Sequence, residues 1–186
     1  GFPSMSINRT VTSADGSLTL DGRVGNAVAN TWKKEVKSDK QGVKIEQISQ
    51  SIVDGKLTAV IGGVALKHSF DPEDLYLTVI VTEDNIPSIS QAGASSSYKH
   101  EAAARLFLTA PTGNKLKVNA DGTFTVTLEG TLNPSWVRNQ CKVVAIVHPS
   151  ITHANKSFAA IHTAETALLG CGLANEPIAP TQAPIV

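Results

Sequence analysis

Short runs of β-branched and aliphatic residues, separated by turn signals, dominate the chain between residues 43 and 169. There are seven such runs, and the clearest are Leu75–Thr82, Phe124–Leu128 and Lys142–Val147. Short alternating runs bounded by Gly, Asp, Asn or Pro predict β-strands. Strands at this spacing, with only one good helix, favour an antiparallel β-sandwich of the immunoglobulin-like type, so the expected fold class is mainly β.

The first two runs predict a long hairpin with an irregularity in each arm. The step from Ile45 to Ile48 breaks the alternation of the first arm, which predicts a β-bulge. Asp54-Gly55 is a hairpin-turn signal. Gly62-Gly63 interrupts the apolar run of the second arm, so we expect a kink there.

One segment near the N-terminus follows the helical period. It spans about 26–38, and Asn26 can cap the amides of its first turn. Its apolar stripe consists of Val28, Ala29, Trp32 and Val36. The period then changes, which divides the chain into a helix-bearing segment 1–40, a β-sandwich domain 41–172 and an extended Pro-rich tail 173–186.

The connection at 84–104 is long for a compact β-domain. Connections of this length are usually functional or disordered loops, so this is where we expect a ligand. Trp136, Tyr98 and Phe107 are candidates for a patch that binds peptide or glycan, although we expect such large aromatic residues to be core anchors.

The charge pattern argues against two classes of function. Sixteen Lys and Arg residues balance sixteen Asp and Glu residues, and neither sign forms a long run. This balance argues against a nucleic-acid surface and against a polybasic membrane anchor. No apolar stretch approaches the roughly 20 residues that a membrane helix needs.

No motif indicates catalysis or a metal site. The chain has no HxH or HExxH spacing, no Gly-x-Ser-x-Gly elbow and no CxxC pair. The carboxylate pairs Glu73-Asp74 and Glu83-Asp84 lie at strand ends or turns, where we expect them to be solvated. We therefore expect a non-enzyme without cofactor or metal, whose histidines lie in loops or on the surface. These histidines are His68, His100, His148, His153 and His162.

The two cysteines, Cys141 and Cys171, leave two alternatives open. Antiparallel pairing of the last two strands would place Cys141 opposite a residue near 164. A disulfide between them therefore requires the Gly-rich end of the domain to fold back, because the two Cα atoms must come within about 7 Å. The alternative is a pair of buried, inert thiols.

Five sequence pieces occur in a distinctive order between Leu75 and Leu168. They are Leu75–Ile86, Tyr98–His100, Ala104-Arg105, Asn133–Trp136 and Val143–His148. This order resembles the C-terminal region of the outer-membrane-protein-28-like lipoproteins of Bacteroidetes. The resemblance covers about half of the chain, and its most distinctive piece is Glu83-Asp84-Asn85 followed by the Tyr-Lys-His and Ala-Arg pieces.

The N-terminus carries a second part of the resemblance. Residues 1–9 look like the stretch of a thioredoxin-like domain in which a cis-proline precedes a strand, and Pro3 is the cis-proline candidate. The helix at 26–38 is then the last helix of that domain. The resemblance thus implies that 1–40 is the C-terminal remnant of a thioredoxin-like domain, without the half that carries redox cysteines.

The resemblance implies a protein that is outer-membrane-associated or exposed at the cell surface. Its suggested role is that of an adhesin or receptor toward a protein or host-surface partner, and it brings no catalytic residues. The motif residues either contact the ligand or hold the long loop on the sheet. They are Glu83, Asp84, Asn85, Tyr98 and His100.

Two further functions stay open from the sequence. The chain is either an accessory domain of an envelope thioredoxin-like oxidoreductase, whose redox half is missing from this sequence, or a structural component of a surface assembly. The proline-rich tail suits the second role because it is able to bridge to a neighbour.

Overall fold

A computed structural model describes residues 4–5, 20–21, 25–37, 42–65, 74–87, 93, 95, 97–150 and 163–169. Pro3, Cys171 and the tail 173–186 lie outside these residues. The elements in chain order are β1 (Ser4–Met5), β2 (Leu20–Asp21), α1 (Gly25–Lys37), β3 (Val43–Val53), β4 (Lys56–Ala65), β5 (Leu75–Glu83), β6 (Ile86–Pro87), β7 (Lys99–His100), β8 (Ala103–Phe107), β9 (Asn114–Lys115), β10 (Thr123–Thr131), β11 (Cys141–Pro149) and β12 (Thr163–Leu168).

The described strands pair in antiparallel fashion and form two larger sheets. One sheet has three strands in the order β10-β4-β3, and the other has five, in the order β12-β11-β5-β8 with β9 also pairing with β5. Two-stranded pairs join β1 to β2 and β6 to β7. Each of the seven predicted runs overlaps a strand, so the mainly β, antiparallel class is confirmed. These strands are β3, β4, β5, β8, β10, β11 and β12.

The two larger sheets share one hydrophobic core. Alternate residues of a strand point to the same face. In β5 and β11 one of these faces is fully buried, as Val79 and Ala145 show. The core also takes Ala59 and Ile61 from β4 of the other sheet, both without exposed surface. Burial of aliphatic side chains from both sheets is the main source of stability, at about 25 cal/mol per Å² of apolar surface.

The hairpin of β3 and β4 follows the predicted pattern in its first arm. The register shifts between Ile45 and Gln47, which leaves Glu46 as the extra residue of the expected bulge. In the second arm β4 runs through Gly62-Gly63 with continuous pairing to β10, so the strand is not interrupted there, and the expected kink stays a prediction. Gly63 lies against the Lys44 backbone and the Phe124 ring, and a side chain there has no room.

Helix α1 confirms the predicted helix and corrects two details. It begins at Gly25, so Asn26 lies within its first turn and is not the residue before it. Ala29 is exposed and Trp32 is 57% exposed, while Val28 is half-buried. The predicted apolar stripe therefore points partly to solvent. In the part of the chain that the structure describes, no helix is long and apolar enough to span a membrane.

Candidate functional site

The candidate site begins at Glu83, the last residue of β5. Glu83 is directly opposite Cys141 of β11 and lies two residues after Val81, so it shares the core-facing side of the sheet. It is only 3% exposed. The expectation that the Glu83-Asp84 pair is solvated is therefore wrong for Glu83, because other elements cover this strand end.

The buried Glu83 carboxylate has two partners from distant parts of the chain. Its Oε2 accepts a hydrogen bond from Arg105 Nε at 2.7 Å, and its Oε1 accepts one from the Val137 backbone N–H at 2.8 Å. The Arg105 guanidinium also lies 5.7 Å from the centroid of the Trp136 ring, a cation–π arrangement. Glu83 thereby joins β8 to the segment that precedes β11.

A bulge places Arg105 beside this carboxylate. Thr82 pairs with Ala104 and Val81 pairs with Leu106, so Arg105 is an extra residue in β8. An extra residue bends a strand and changes the direction of its side chain. The bulge therefore sets the geometry of the ion pair.

Asp84 forms a second connection, next to the first. Its Oδ2 makes an ion pair with Lys142 Nζ, and its Oδ1 accepts a hydrogen bond from the Ala102 N–H at 2.8 Å. The hydrogen bond from Lys142, followed by that from Ala102, lowers the pKa of Asp84 from its ordinary value of 3.8. The Asp84 N–H donates to the Gln140 carbonyl at 2.9 Å.

The chain turns sharply at two facing positions beyond these connections. Asn85 and Ala102 both have positive φ, at 57° and 51°, which is uncommon for residues other than glycine. The Asn85 N–H donates to Glu101 Oε2 at 3.3 Å, while the Ala102 N–H donates to Asp84. Each corner is thus held by a carboxylate that belongs to the other corner.

The segment between these corners is a hairpin, which we call the 86–100 hairpin. Its base consists of β6 and β7, in which Ile86 pairs with His100 and Pro87 with Lys99. Residues 88–92, 94 and 96 lie outside the described residues. The hairpin follows β5 and β8 as a separate two-stranded pair, because each strand passes through a residue with positive φ, Asn85 after β5 and Ala102 before β8.

Tyr98 and His100 lie on the returning arm of this hairpin. Their ring centroids are 5.2 Å apart and their planes are at 87°, an edge-to-face contact. Tyr98 is 43% exposed, so the expectation that it anchors the core is wrong. It is wrong for Phe107 of β8 as well, which is 40% exposed, whereas the half-buried Trp136 packs against the core as expected.

Cys141 lies in the core behind the site. Its Sγ donates to the Val137 carbonyl at 3.5 Å, and burial, followed by the nearby charge of Glu83, raises the pKa of the thiol to about 11. The Leu169 N–H donates to the Cys141 carbonyl. Cys141 is therefore opposite Leu169, and the predicted partner near 164 is wrong because the connection between β11 and β12 is longer than expected. The disulfide to Cys171 stays a prediction, because Cys171 lies outside the described residues.

His148 is a core residue of β11, which corrects the prediction of a loop histidine. Its Nε2 is 2.8 Å from Thr78 Oγ1 and its Nδ1 is 2.7 Å from the Pro149 carbonyl. Since a carbonyl accepts, Nδ1 carries a proton, and in this tautomer Nε2 accepts from the threonine hydroxyl. Tyr76 stacks on the ring at a centroid distance of 6.3 Å. His68, His153 and His162 lie outside the described residues.

The carboxylates of the site are engaged within the protein. Both Glu83 oxygens and both Asp84 oxygens have partners within the protein, and the neighbouring thiol is protonated at neutral pH. Among the described residues, no group of three or more His, Cys, Asp or Glu side chains is arranged to hold a metal ion. Tyr98, on the returning arm of the 86–100 hairpin, leaves aromatic surface exposed.

The sequence marks some of these residues and gives no signal for others. The structure brings Glu83, Asp84 and Asn85 together at one strand end, with Tyr98 and His100 on the hairpin that follows. Of the two alternatives for the motif residues, Asn85 fits loop holding, but through its backbone N–H. The side chains that hold the loop are Asp84 and Glu101. No local signal marks Glu101, because its role depends on the corner opposite it.

Comparison with known proteins gives a likeness of structure. No protein-family model matches the chain, and no curated protein matches it by sequence. The structure of HBP35 of Porphyromonas gingivalis matches with a TM-score of 0.76 at 22% identity, over 100% of this chain and 57% of HBP35. The two share a fold. The chain thus spans little more than half of the length of HBP35.

A domain of the outer membrane lipoprotein Omp28, also from Porphyromonas gingivalis, matches more weakly. Its TM-score is 0.48 at 13% identity, over 69% of this chain and 88% of that domain.

Proposed function

We propose that this chain is a non-catalytic binding module of the bacterial cell envelope, in which an immunoglobulin-like sandwich presents the 86–100 hairpin to a protein or host-surface partner. The suggested role is that of an adhesin or receptor in an outer-membrane-associated protein of the Omp28-like kind. Residues 1–40 are, in this proposal, the end of a thioredoxin-like domain. The resemblance of the sequence pieces and the fold shared with HBP35 support the proposal.

The observation that carries the proposal is an exposed tyrosine on a firmly held hairpin. Tyr98 leaves 43% of its surface open while its ring contacts His100. Tyrosine is enriched in recognition surfaces because it offers a large contact area and a hydroxyl at the cost of few rotatable bonds. A tyrosine whose position is already fixed loses less entropy when a partner binds.

The two corners supply this preorganisation. Asp84 and Glu101 each accept a hydrogen bond from the opposite corner, and Lys142 holds Asp84 from β11. A left-handed alanine such as Ala102 costs about 1–2 kcal/mol, and such a cost persists only where the surroundings fix the backbone. The direction of the hairpin is therefore set by the sheet beneath it.

Cys141 argues against thiol chemistry as the role of this chain. A thiolate is the reactive form of cysteine, and a thiol with a pKa of about 11 is almost entirely protonated at neutral pH. Cys141 is also 1% exposed, which keeps oxidants and substrates away from the sulfur. The accessory role beside a redox domain therefore has no support from this residue.

Binding of the fluorescently labelled chain to live epithelial cells tests the proposal. We expect saturable binding, and the double variant Tyr98→Ala/His100→Ala should weaken it at least about tenfold, as expected for loss of an aromatic hot spot. The matched control is Val53→Ala, since Val53 is 49% exposed and lies on the β3–β4 hairpin. Absence of saturable binding, or equal loss in the control, overturns the proposal.

A further inference from the structure

Strand β10 is an edge strand of the described sheets without a β-bulge, whereas two other edge strands, β3 and β8, each contain one. An exposed strand edge invites pairing with another chain, and proteins often prevent this with bulges, prolines or lysines. The edge strand β3 has a bulge at Glu46, and the edge strand β8 has one at Arg105. In contrast, β10 pairs with β4 at all nine of its residues without a shift of register, and it contains neither proline nor lysine.

The direction of the backbone groups of β10 follows from its two ends. The Gly122 carbonyl accepts from the Ala65 N–H, and the Leu132 N–H donates to the Gly55 carbonyl, so even-numbered positions bond toward β4. Hydrogen-bonding direction alternates along an antiparallel strand. The N–H and C=O groups of the odd-numbered positions therefore point away from β4.

Among the described residues, the outward N–H and C=O groups have hydrogen-bond partners at Thr123, the first residue of the strand, but not at the odd-numbered positions from Thr125 to Glu129. The Thr123 N–H donates to Asp121 Oδ1, and the Thr123 carbonyl accepts from the Asn119 N–H. In the part of the chain that the structure describes, no hydrogen bond reaches the outward backbone groups of Thr125, Thr127 or Glu129. The side chains of these three residues are exposed.

The inner side of the edge is also incompletely covered. Val126 and Leu128 face the core, yet both remain half-buried. Ala59 and Ile61, on the neighbouring strand β4, have no exposed surface. A strand added beside β10 would cover the apolar surface that Val126 and Leu128 leave open, which favours association.

We infer that β10 pairs in antiparallel fashion with β10 of a second copy of this chain, so that two three-stranded sheets become one six-stranded sheet. Thr127 is the middle residue of the strand, and a two-fold axis there places Thr127 opposite itself and Glu129 opposite Thr125. Glu129 is the strand's only charge and is already paired with Lys56 at 2.7 Å. No like charges face each other, so the strand is complementary to itself. This inference does not depend on the proposed binding function.

Charge substitution at the proposed axis provides the test. Single strand pairing buries little surface and belongs to the weak interfaces below about 1,200 Å². Sedimentation of the 186-residue chain should therefore show a monomer–dimer equilibrium at concentrations up to about 1 mM. Thr127→Lys and Thr127→Glu should each raise the midpoint concentration of dimerisation at least tenfold above that of the wild type. An equimolar mixture of the two variants should dimerise again, because Lys and Glu then face each other.

The matched control is Ser49→Lys. Ser49 and Thr127 both pair with Val60, so the control places the same charge in the same row of the same sheet, two strands away. It should dimerise as the wild type does, and circular dichroism should show that all variants are folded. A wild-type chain that stays monomeric throughout overturns the inference, as does a dimer that Thr127→Lys and Ser49→Lys affect equally.

Discussion

The Glu83 carboxylate accepts a hydrogen bond from Arg105 Nε at 2.7 Å, across the bulge that separates the two halves of the β5–β8 pairing. Glu83 is buried, while about a third of the Arg105 side chain is exposed. The pair is thus neither a surface salt bridge, whose contribution is usually below 1 kcal/mol, nor a fully desolvated one. It joins β8 to the segment before β11, because Glu83 also accepts from the Val137 N–H.

Removal of this carboxylate should destabilise the protein strongly. Glu83→Ala leaves the Arg105 charge and the Val137 N–H without the carboxylate that they share, so we expect a loss of about 2–4 kcal/mol in the free energy of unfolding. Urea denaturation of Glu83→Ala, Arg105→Ala and the double variant measures the coupling. Strictly additive losses would contradict the ion pair as the cause. Glu129→Ala, at an exposed pair with Lys56, serves as the control and should lose less than about 1 kcal/mol.

Glycine substitutions at Ala102 and Ala104 should change the stability of the protein in opposite directions. Ala102 has a φ of +51°, where glycine has no steric penalty, so Ala102→Gly should stabilise the protein by about 0.5–1 kcal/mol. Ala104 is extended in β8 and exposed, so Ala104→Gly should destabilise it by about 0.5–1 kcal/mol. Thermal unfolding of both variants measures the difference, and the same sign for both would contradict the left-handed corner.

The pH dependence of the hairpin should follow Asp84. Lys142 and the Ala102 N–H hold the pKa of Asp84 below 3.8, so the native state binds this proton less tightly than the unfolded chain does. The stabilisation is therefore complete above the unfolded pKa and is lost as the pH falls through the lower folded pKa. The protection factor of the Ala102 amide against hydrogen exchange should fall in that acid range.

Asp84→Asn should remove this pH dependence, because an amide oxygen still accepts from Ala102 but does not titrate. Asp121→Asn is the matched control, since hydrogen bonds from Thr123 lower the pKa of Asp121 in a separate turn. Asp121→Asn should change how the free energy of unfolding of the whole protein depends on pH in the acid range. The protection of the Ala102 amide should still be lost at acid pH in this variant. An unchanged Ala102 response in Asp84→Asn would refute the assignment.

The strands could be predicted from the sequence because their signals are local. Short β-branched and aliphatic runs between turn signals predict the seven main strands, and the break in alternation after Ile45 predicts the bulge at Glu46. The bulge at Arg105 had no such signal, because polar and apolar residues do not alternate around it. Its position depends on the register with β5, which is set by contacts between residues far apart in the chain.

The candidate site could be located from the sequence, but its contacts could not. The length of the 84–104 connection and the family-like pieces pointed to Glu83, Asp84, Asn85, Tyr98 and His100. Burial of Glu83 could not be predicted, since the residues that cover it come from β8 and from the segment before β11. The exposure of Tyr98 likewise depends on how the two corners direct the hairpin.

The thiol of Cys141 should be unreactive in the folded protein. With a pKa of about 11, roughly one thiol in a thousand is ionised at pH 8, and the sulfur is buried as well. In the Cys171→Ser variant, the thiol reagent DTNB should label Cys141 at least about a hundredfold faster in guanidinium than in buffer. Rapid labelling in buffer would contradict the burial. The wild-type chain in guanidinium gives two thiols if the cysteines are free and none if they form the predicted disulfide.

Alanine substitutions at Gly113 and Gly55 distinguish the cost of an unfavourable backbone conformation from the cost of a steric clash in the core. Both have positive φ, at 84° and 78°, so alanine at either position costs about 1–2 kcal/mol. At Gly55 an added Cβ has no atom within 4 Å, whereas at Gly113 it would lie 2.9 Å from His148 Nε2 and 3.0 Å from Thr78 Oγ1.

Gly113→Ala should therefore destabilise the protein more than Gly55→Ala, by about 1–3 kcal/mol, the usual cost of overpacking a well-filled site. The extra loss arises because His148 is held by Thr78 on one side and by the Pro149 carbonyl on the other, so its ring cannot move away without breaking a buried hydrogen bond. Urea denaturation measures both variants. In the Thr78→Ala background, one of these restraints and the threonine Oγ1 are removed, so the difference between the two glycine variants should shrink. An unchanged difference would mean that the collision involves neither the threonine nor the hydrogen bond to His148.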